Sequence, residues 1–187
     1  MASTAPVEVR GGTRTLLVVL AAAAGIIHLA MVPAHWGETP LEGLGFALVG
    51  WAQLALAVTL FVRPVANVLR VGMVATYVFI AIWVVSRVWG LPFGEHAWHP
   101  HDPSFVDLAC VGLEVAFVAL AGVVLCRPAL GQDTGRAGLA TTAVASVAVL
   151  TLATAALASP SAEPRREQPR RPRPLRRERG DGRRLGQ

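Results

Sequence analysis

Lysine is absent from this chain: all 17 basic residues are arginine. Together with abundant alanine, glycine, valine and proline, that bias is the mark of GC-rich coding, so arginine content alone indicates no selected chemistry. Cysteine is scarce too. Cys110 and Cys126 fall in one apolar run and would lie ~24 Å apart on a helix, which excludes a disulfide between them. No phosphate-cradling glycine loop, nucleophile elbow or dinucleotide fingerprint occurs, and no His-Glu-x-x-His zinc motif. An enzyme is therefore not the expectation; a membrane enzyme using Glu114 and His28 as an acid–base pair would have no motif behind it. Charge is thin over most of the length. Residues 1–160 hold seven arginines against eight acidic residues, whereas residues 161–187 hold ten against four.

What the chain has instead is apolar residues in blocks. At 53% hydrophobic and a mean hydropathy of +0.51, it exceeds the ~45–50% apolar share of a soluble domain. The blocks are about 20 residues long, enough to cross ~30 Å of hydrocarbon at 1.5 Å per residue. The fold class expected is all-α, an integral membrane helical bundle in a lipid bilayer, of four helices and a fifth that is less apolar.

The first block runs from about Thr15 to Ala34. Arg10 and Arg14 precede it as in a secretory signal, but no cleavage site follows and His28 lies inside it, so it reads as an uncleaved helix. The second spans Glu42 to Val62, the third Val68 to Trp89, and the fourth Ser104 to Cys126, where Arg127 and Pro128 stop it. Gly138 to Ala158 forms the fifth. This divides the chain into a short cytoplasmic N-terminus at 1–14, a four-helix core at 15–127, a fifth helix at 138–158 and an Arg/Pro-rich tail at 159–187.

Arginine in short loops is retained on the cytoplasmic side. With the N-terminus inside, the inner segments hold Arg10, Arg14, Arg63, Arg70, Arg127 and Arg136, and the outer ones Glu38, Glu42, Glu95, Asp102 and Asp107, with Arg87 the lone exception. A fifth crossing then puts the arginine-rich tail outside, against the same rule. The alternatives are that 138–158 does not cross or that the orientation is inverted; five crossings with the tail outside is the reading adopted. The tail composition cannot bury a core and is expected to be disordered. It would suit anionic lipid or nucleic acid electrostatically, but a charge block is more often a solvated tail, and no nucleic-acid partner is inferred.

Polar residues inside the apolar blocks face a bundle interior or a wet cavity. His28 lies ~9 Å, Gln53 ~16 Å and Glu114 ~15 Å from the outer ends of their helices, and Arg87 and Asp107 lie shallower. A pocket opening outward follows. Arg87 is expected to pair with Asp107 or Glu114 on the next helix, since an unpaired guanidinium there is expensive.

All five histidines fall on the outer side in this orientation. His28 and His35 would share a helix face, with a kink at Pro33. Glu38 follows His35, and the second outer loop offers Glu95, His96, His99, His101 and Asp102. His99 and His101 point the same way in extended chain. Imidazole and carboxylate are ligands for Zn²⁺ or Cu²⁺, so the candidate metal set is His28, His35, Glu38, His96, His99 and His101, with Arg87, Asp107 and Glu114 as buried polar groups and Gln53 in the pocket. Haem fits less well, because only His28 lies well inside a helix. The two hairpins also echo one another: His35 with His99, Glu38 with Asp102, and Arg63-Pro64 with Arg127-Pro128 share one offset, as after duplication of a helix–loop–helix unit.

The segments GIIHL at 25–29, PAHWGE at 33–38, GWAQ at 50–53 and SRVWGLPFG at 86–94 resemble a group of small polytopic membrane proteins of actinobacteria that has no established activity. The likeness covers roughly residues 20–125. It implies the same helical core. Some members of that group continue into a histidine-rich end where this chain has arginine, so no metal role passes to the tail. The functional expectation is binding or passage of a small ligand or divalent metal at an outward-facing His/Glu site, against the alternative of an accessory membrane subunit whose Arg87 and Glu114 only clamp helices.

Overall fold

The computed structural model describes residues 9–93, 97–100, 102–132 and 135–162. The described residues form five α-helices, α1 (Gly11–Glu38), α2 (Pro40–Val62), α3 (Ala66–Val88), α4 (Phe105–Cys126) and α5 (Arg136–Leu157), with short 3₁₀ turns at Pro128–Gln132 and Pro160–Ala162. Each of the five is long and apolar enough to cross a membrane. The protein is an all-α polytopic membrane bundle.

The helix ends follow from local chemistry. α2 stops at Arg63 and α4 at Arg127, each followed by a proline that has no N–H and biases the residue before it to extended backbone. The two C-caps share one geometry, φ −132, ψ 77 at Arg63 and φ −134, ψ 75 at Arg127. α4 opens on a capping box in which Ser104 and Asp107 satisfy each other's backbone N–H. α3 ends as the chain turns at Gly90, whose φ of +78 a side chain rarely tolerates.

The first outer connection is where structure and pattern differ. α1 starts at Gly11, runs through Pro33 and ends only at Glu38. Thr39 alone joins it to α2: its N–H bonds to His35 O at 2.9 Å, and its carbonyl accepts from Glu42 N at 2.9 Å and Gly43 N at 3.1 Å. One residue thus serves as the C-cap of α1 and the N-cap of α2. His35 consequently sits on the last turn of a helix. Between α3 and α4 the described residues from Trp89 to Ser104 form no helix, so the two hairpins match at their Arg-Pro corners and not at their opposite ends.

α1 is the central helix, lying along α2 and also touching α5 and α4; α3 packs mainly on α4. Lipid chains are as apolar as leucine, so helices associate here through close packing of small residues. Ala21, Ala23, Ala24 and Gly25 give α1 that surface, and Leu17, Leu20 and Ile27 fill the adjoining core against Leu113 and Phe117 of α4. The large apolar side chains left outside, such as Leu48, Trp51, Val58, Val71 and Val144, face the lipid.

Candidate metal centre

On α1, His28 and His35 stand two turns apart on one face, ~10.5 Å along the axis. α2 runs antiparallel beside them and lines up Glu42, Phe46 and Gln53 at helical spacing. His35 Nδ1 lies 3.5 Å from Glu42 Oε2. The His35 ring stacks on Phe46 with centroids 3.9 Å apart and planes at 14°, and His28 meets the same phenyl ring edge-on at 5.5 Å and 85°. Phe46 therefore stands between the two histidines.

Beneath Phe46 is a buried polar group. His28 Nε2 lies 3.2 Å from Glu114 Oε1, and Gln53 Nε2 donates to that same oxygen at 2.5 Å. Cys110 precedes Glu114 by one turn of α4, so both project from one face. Its sulfur lies 3.7 Å from His28 Nδ1 and 3.9 Å from His28 Nε2, and its thiol donates weakly to Ala24 O at 3.8 Å. Gln53 and Glu114 are each 2% exposed and Cys110 3%. Gln53 Oε1 is buried with no hydrogen-bond partner among the described residues. Polar groups this deep in hydrocarbon are costly unless they satisfy one another or a bound ligand, and an acceptor left over beside a carboxylate calls for an explanation.

A tetrahedral ion with bonds of ~2.0–2.3 Å to nitrogen, oxygen and sulfur holds its ligand atoms about 3.3–3.6 Å apart. With Nε2 as the ligating nitrogen, the separations are 3.2 Å to Glu114 Oε1 and 3.9 Å to Cys110 Sγ, the first close to the tetrahedral value and the second somewhat wider. Ligand atoms of His28, Cys110 and Glu114 all lie within 4.8 Å of one another, and among the described residues no other set of three or more His, Cys, Asp or Glu side chains converges in this way. Turning the Gln53 amide about its last torsion would exchange Oε1 for Nε2 and offer a fourth donor.

A second polar tier lies where α3 and α4 approach their connection. Arg87 Nη2 bonds to Asp107 Oδ2 at 2.7 Å, and that oxygen also accepts from Ser104 N and Oγ, both at 2.9 Å. The guanidinium lies 5.7 Å from the Trp83 ring. Of the two partners open to Arg87 by sequence, it takes Asp107, and Glu114 belongs to the deeper group.

The other residues singled out by sequence are dispersed. His35 pairs with Glu42 on the α1–α2 seam. His99 is exposed on the second loop with Nδ1 2.9 Å from Ala97 O, and is not part of the convergent group. His96 and His101 lie outside the described residues, as does the side chain of Glu38. Cys110 and Glu42 were not among the sequence candidates. The signal for Cys110 was its four-residue spacing from Glu114, which puts a soft ligand one turn from a buried carboxyl; for Glu42 it was position in the first turn of a helix that starts one residue after α1 ends.

No family model, no curated protein and no solved structure matches this chain.

Proposed function

We propose that this protein binds or passes a transition-metal ion, Zn²⁺ or Cu²⁺, inside the membrane, with His28, Cys110 and Glu114 as ligands and Gln53 as the fourth donor. The observation that carries the reading is the convergence of imidazole, thiol and carboxyl from two helices, with their ligand atoms within 4.8 Å of one another. One nitrogen, one sulfur and one oxygen form a set of intermediate softness, which suits borderline divalent ions better than Mg²⁺ or Ca²⁺. The N-terminus is cytoplasmic and the bundle lies in the cell membrane, so the site opens toward the outside; the outer set of His35, Glu38, His96, His99 and His101 then borders the approach to it.

The test is metal content and Co²⁺ spectroscopy on the untagged protein in detergent. One ion per chain is expected, with a thiolate-to-cobalt absorption that Cys110→Ala abolishes and Glu114→Gln and His28→Ala weaken by the ~10- to 100-fold typical of a damaged site. Cys126→Ser and His99→Ala should behave as the parent. Failure of the parent to take up any ion, while the same variants lower its melting temperature, would reduce the group to an interhelical hydrogen-bond clamp.

A further inference from the structure

The buried group is sealed on three sides by helix packing, which raises the question of how a hydrated ion gets there. Two seams lead toward it. Between α2 and α3 lies a groove whose floor includes Gln53 and whose walls are Leu56, Val68, Val71, Gly72 and Phe79. Its other polar lining is Thr59 and Asn67, already bonded to Ala55 O and to Arg70, and it holds no imidazole or carboxylate. The α1–α2 seam differs. Its outer end carries His35 and Glu42 with 3.5 Å between ligand atoms and side chains 19% and 12% exposed, within reach of solvent. Its inner end is His28. Between them stands Phe46, touching both imidazoles.

We infer that His35 and Glu42 form a second, outer cation site and that an ion passes from it to His28 along the α1–α2 seam when the Phe46 ring swings aside. The inference rests on the metal reading above for its cargo, but the route is a property of the fold and can be tested without metal. An imidazole and a carboxylate at this separation hold a divalent ion weakly, which is what a transfer site requires: an ion must be able to leave it. The two histidines lie ~10.5 Å apart on one helix, so no single ion can be shared between them. The ion has to move past the ring. Phe46 is only partly buried at the edge of the apolar core, and rotation about its χ1 and χ2 would open the seam without unwinding either helix.

Cys110 provides the readout. In the full-length Cys126→Ser protein, reaction of Cys110 with a small cationic methanethiosulfonate reagent reports access to the buried site. Phe46→Ala should raise that rate by about tenfold or more, equivalent to a barrier lower by ~1.4 kcal/mol. Phe46→Leu, which keeps most of the packing volume, should give an intermediate rate and guards against misfolding of the alanine variant. Glu42→Gln and His35→Phe should slow the cationic reagent and leave a neutral one of the same size unaffected. In the Co²⁺ assay the same Glu42 and His35 variants should load more slowly to an unchanged stoichiometry. Should Phe46→Ala and Phe46→Leu leave Cys110 as closed as before while Phe79→Ala opens it, the route runs through the α2–α3 groove and the inference is overturned. Should the parent bind no ion yet Cys110 respond to Phe46 as described, the route stands and only its cargo changes.

Discussion

Asp107 does three things with one oxygen. Its Oδ2 accepts from Arg87 Nη2 and from both the backbone and the hydroxyl of Ser104, while its own N–H bonds to Ser104 Oγ at 3.2 Å. The carboxylate therefore caps α4, neutralises the buried end of Arg87 and ties α3 to α4. Asp107→Ala removes all of these and leaves a half-buried guanidinium unpaired. Breaking such a pair and a cap together should lower stability by ~2–4 kcal/mol, read as thermal unfolding in detergent. Asp107→Asn keeps a capping oxygen and loses only charge, so it should cost less than half as much. Neither should change metal stoichiometry, because Asp107 is not among the converging ligands; loss of the ion in Asp107→Asn with the fold intact would move the site outward. Much at this scale was legible in sequence. Intramembrane His28, Gln53, Arg87 and Glu114 stood out by being polar in apolar blocks, and their depths placed three of them together. What sequence left open was the partner of each, since Arg87 had two acids within reach and only the rotation of α4 decides between them. Cys110 escaped notice for a physical reason: thiols are ordinary core residues, and only its position one turn from Glu114 set it apart.

The helices themselves were legible almost to the residue, because crossing the membrane requires a long unbroken apolar run. The exception is α1, which starts at Gly11 where the apolar block starts at about Thr15, and ends at Glu38 where the block ends at about Ala34. Pro33 and the polar stretch after it suggest a kink and a loop, yet the helix continues one further turn. A membrane helix can pass through proline when its neighbours pack around it, and here α2 turns back at once. The α1–α2 pairing depends on two facing glycines. A Cβ on Gly50 would lie 2.7 Å from Leu29 Cγ and 3.0 Å from Gly25 O, and one on Gly25 would lie 3.0 Å from Gly50 O. Backbone meets backbone at that point. Gly50→Leu should force α2 away from α1 and lower stability by ~1–3 kcal/mol; since Phe46 and Gln53 are the flanking turns of the same helix face, it should also weaken metal retention. Gly45, one turn away with nothing within 4 Å, is the control: Gly45→Leu adds a lipid-facing side chain and should leave both melting and metal unchanged. Equal effects at the two positions would mean that the close approach does not organise the site.

At the scale of the molecule, the two ends differ in charge and in how they are tied. At one end, Val9 N bonds to Pro64 O at 2.9 Å and Arg10 N to Gly131 O at 2.8 Å, Arg14 donates to Phe61 O, and its guanidinium lies 4.9 Å from the Phe61 ring. Arg63, Arg70 and Arg127 lie at this end too. The opposite end carries Glu42, Asp102 and Asp107 with Arg87 neutralised by its partner. The proposed orientation, with arginine retained on the cytoplasmic side, takes the arginine end as the inner one and the His35–Glu42 end as the outer one. Cys126 is exposed at the arginine end and Thr39 marks the other. In intact cells an impermeant maleimide should label Thr39→Cys in a Cys126→Ser background and should reach Cys126 of the parent only after permeabilisation. The reverse pattern would invert the bundle and turn the candidate site toward the cytoplasm. α5 sets the remaining question. It packs along α1 and is long and apolar enough to cross; in the proposed orientation a crossing would put its far end, Ala158, on the side of Thr39 and the ten arginines that follow outside, against the charge rule. The first helix usually dominates the topology, although charge added at the C-terminus can flip it. Labelling of Ala158→Cys from outside, in the same Cys126→Ser background, is the expected result. If Thr39→Cys is labelled and Ala158→Cys is not, α5 stays on the inner side, the tail is cytoplasmic, and α1 gains a lipid-exposed face where α5 now covers it.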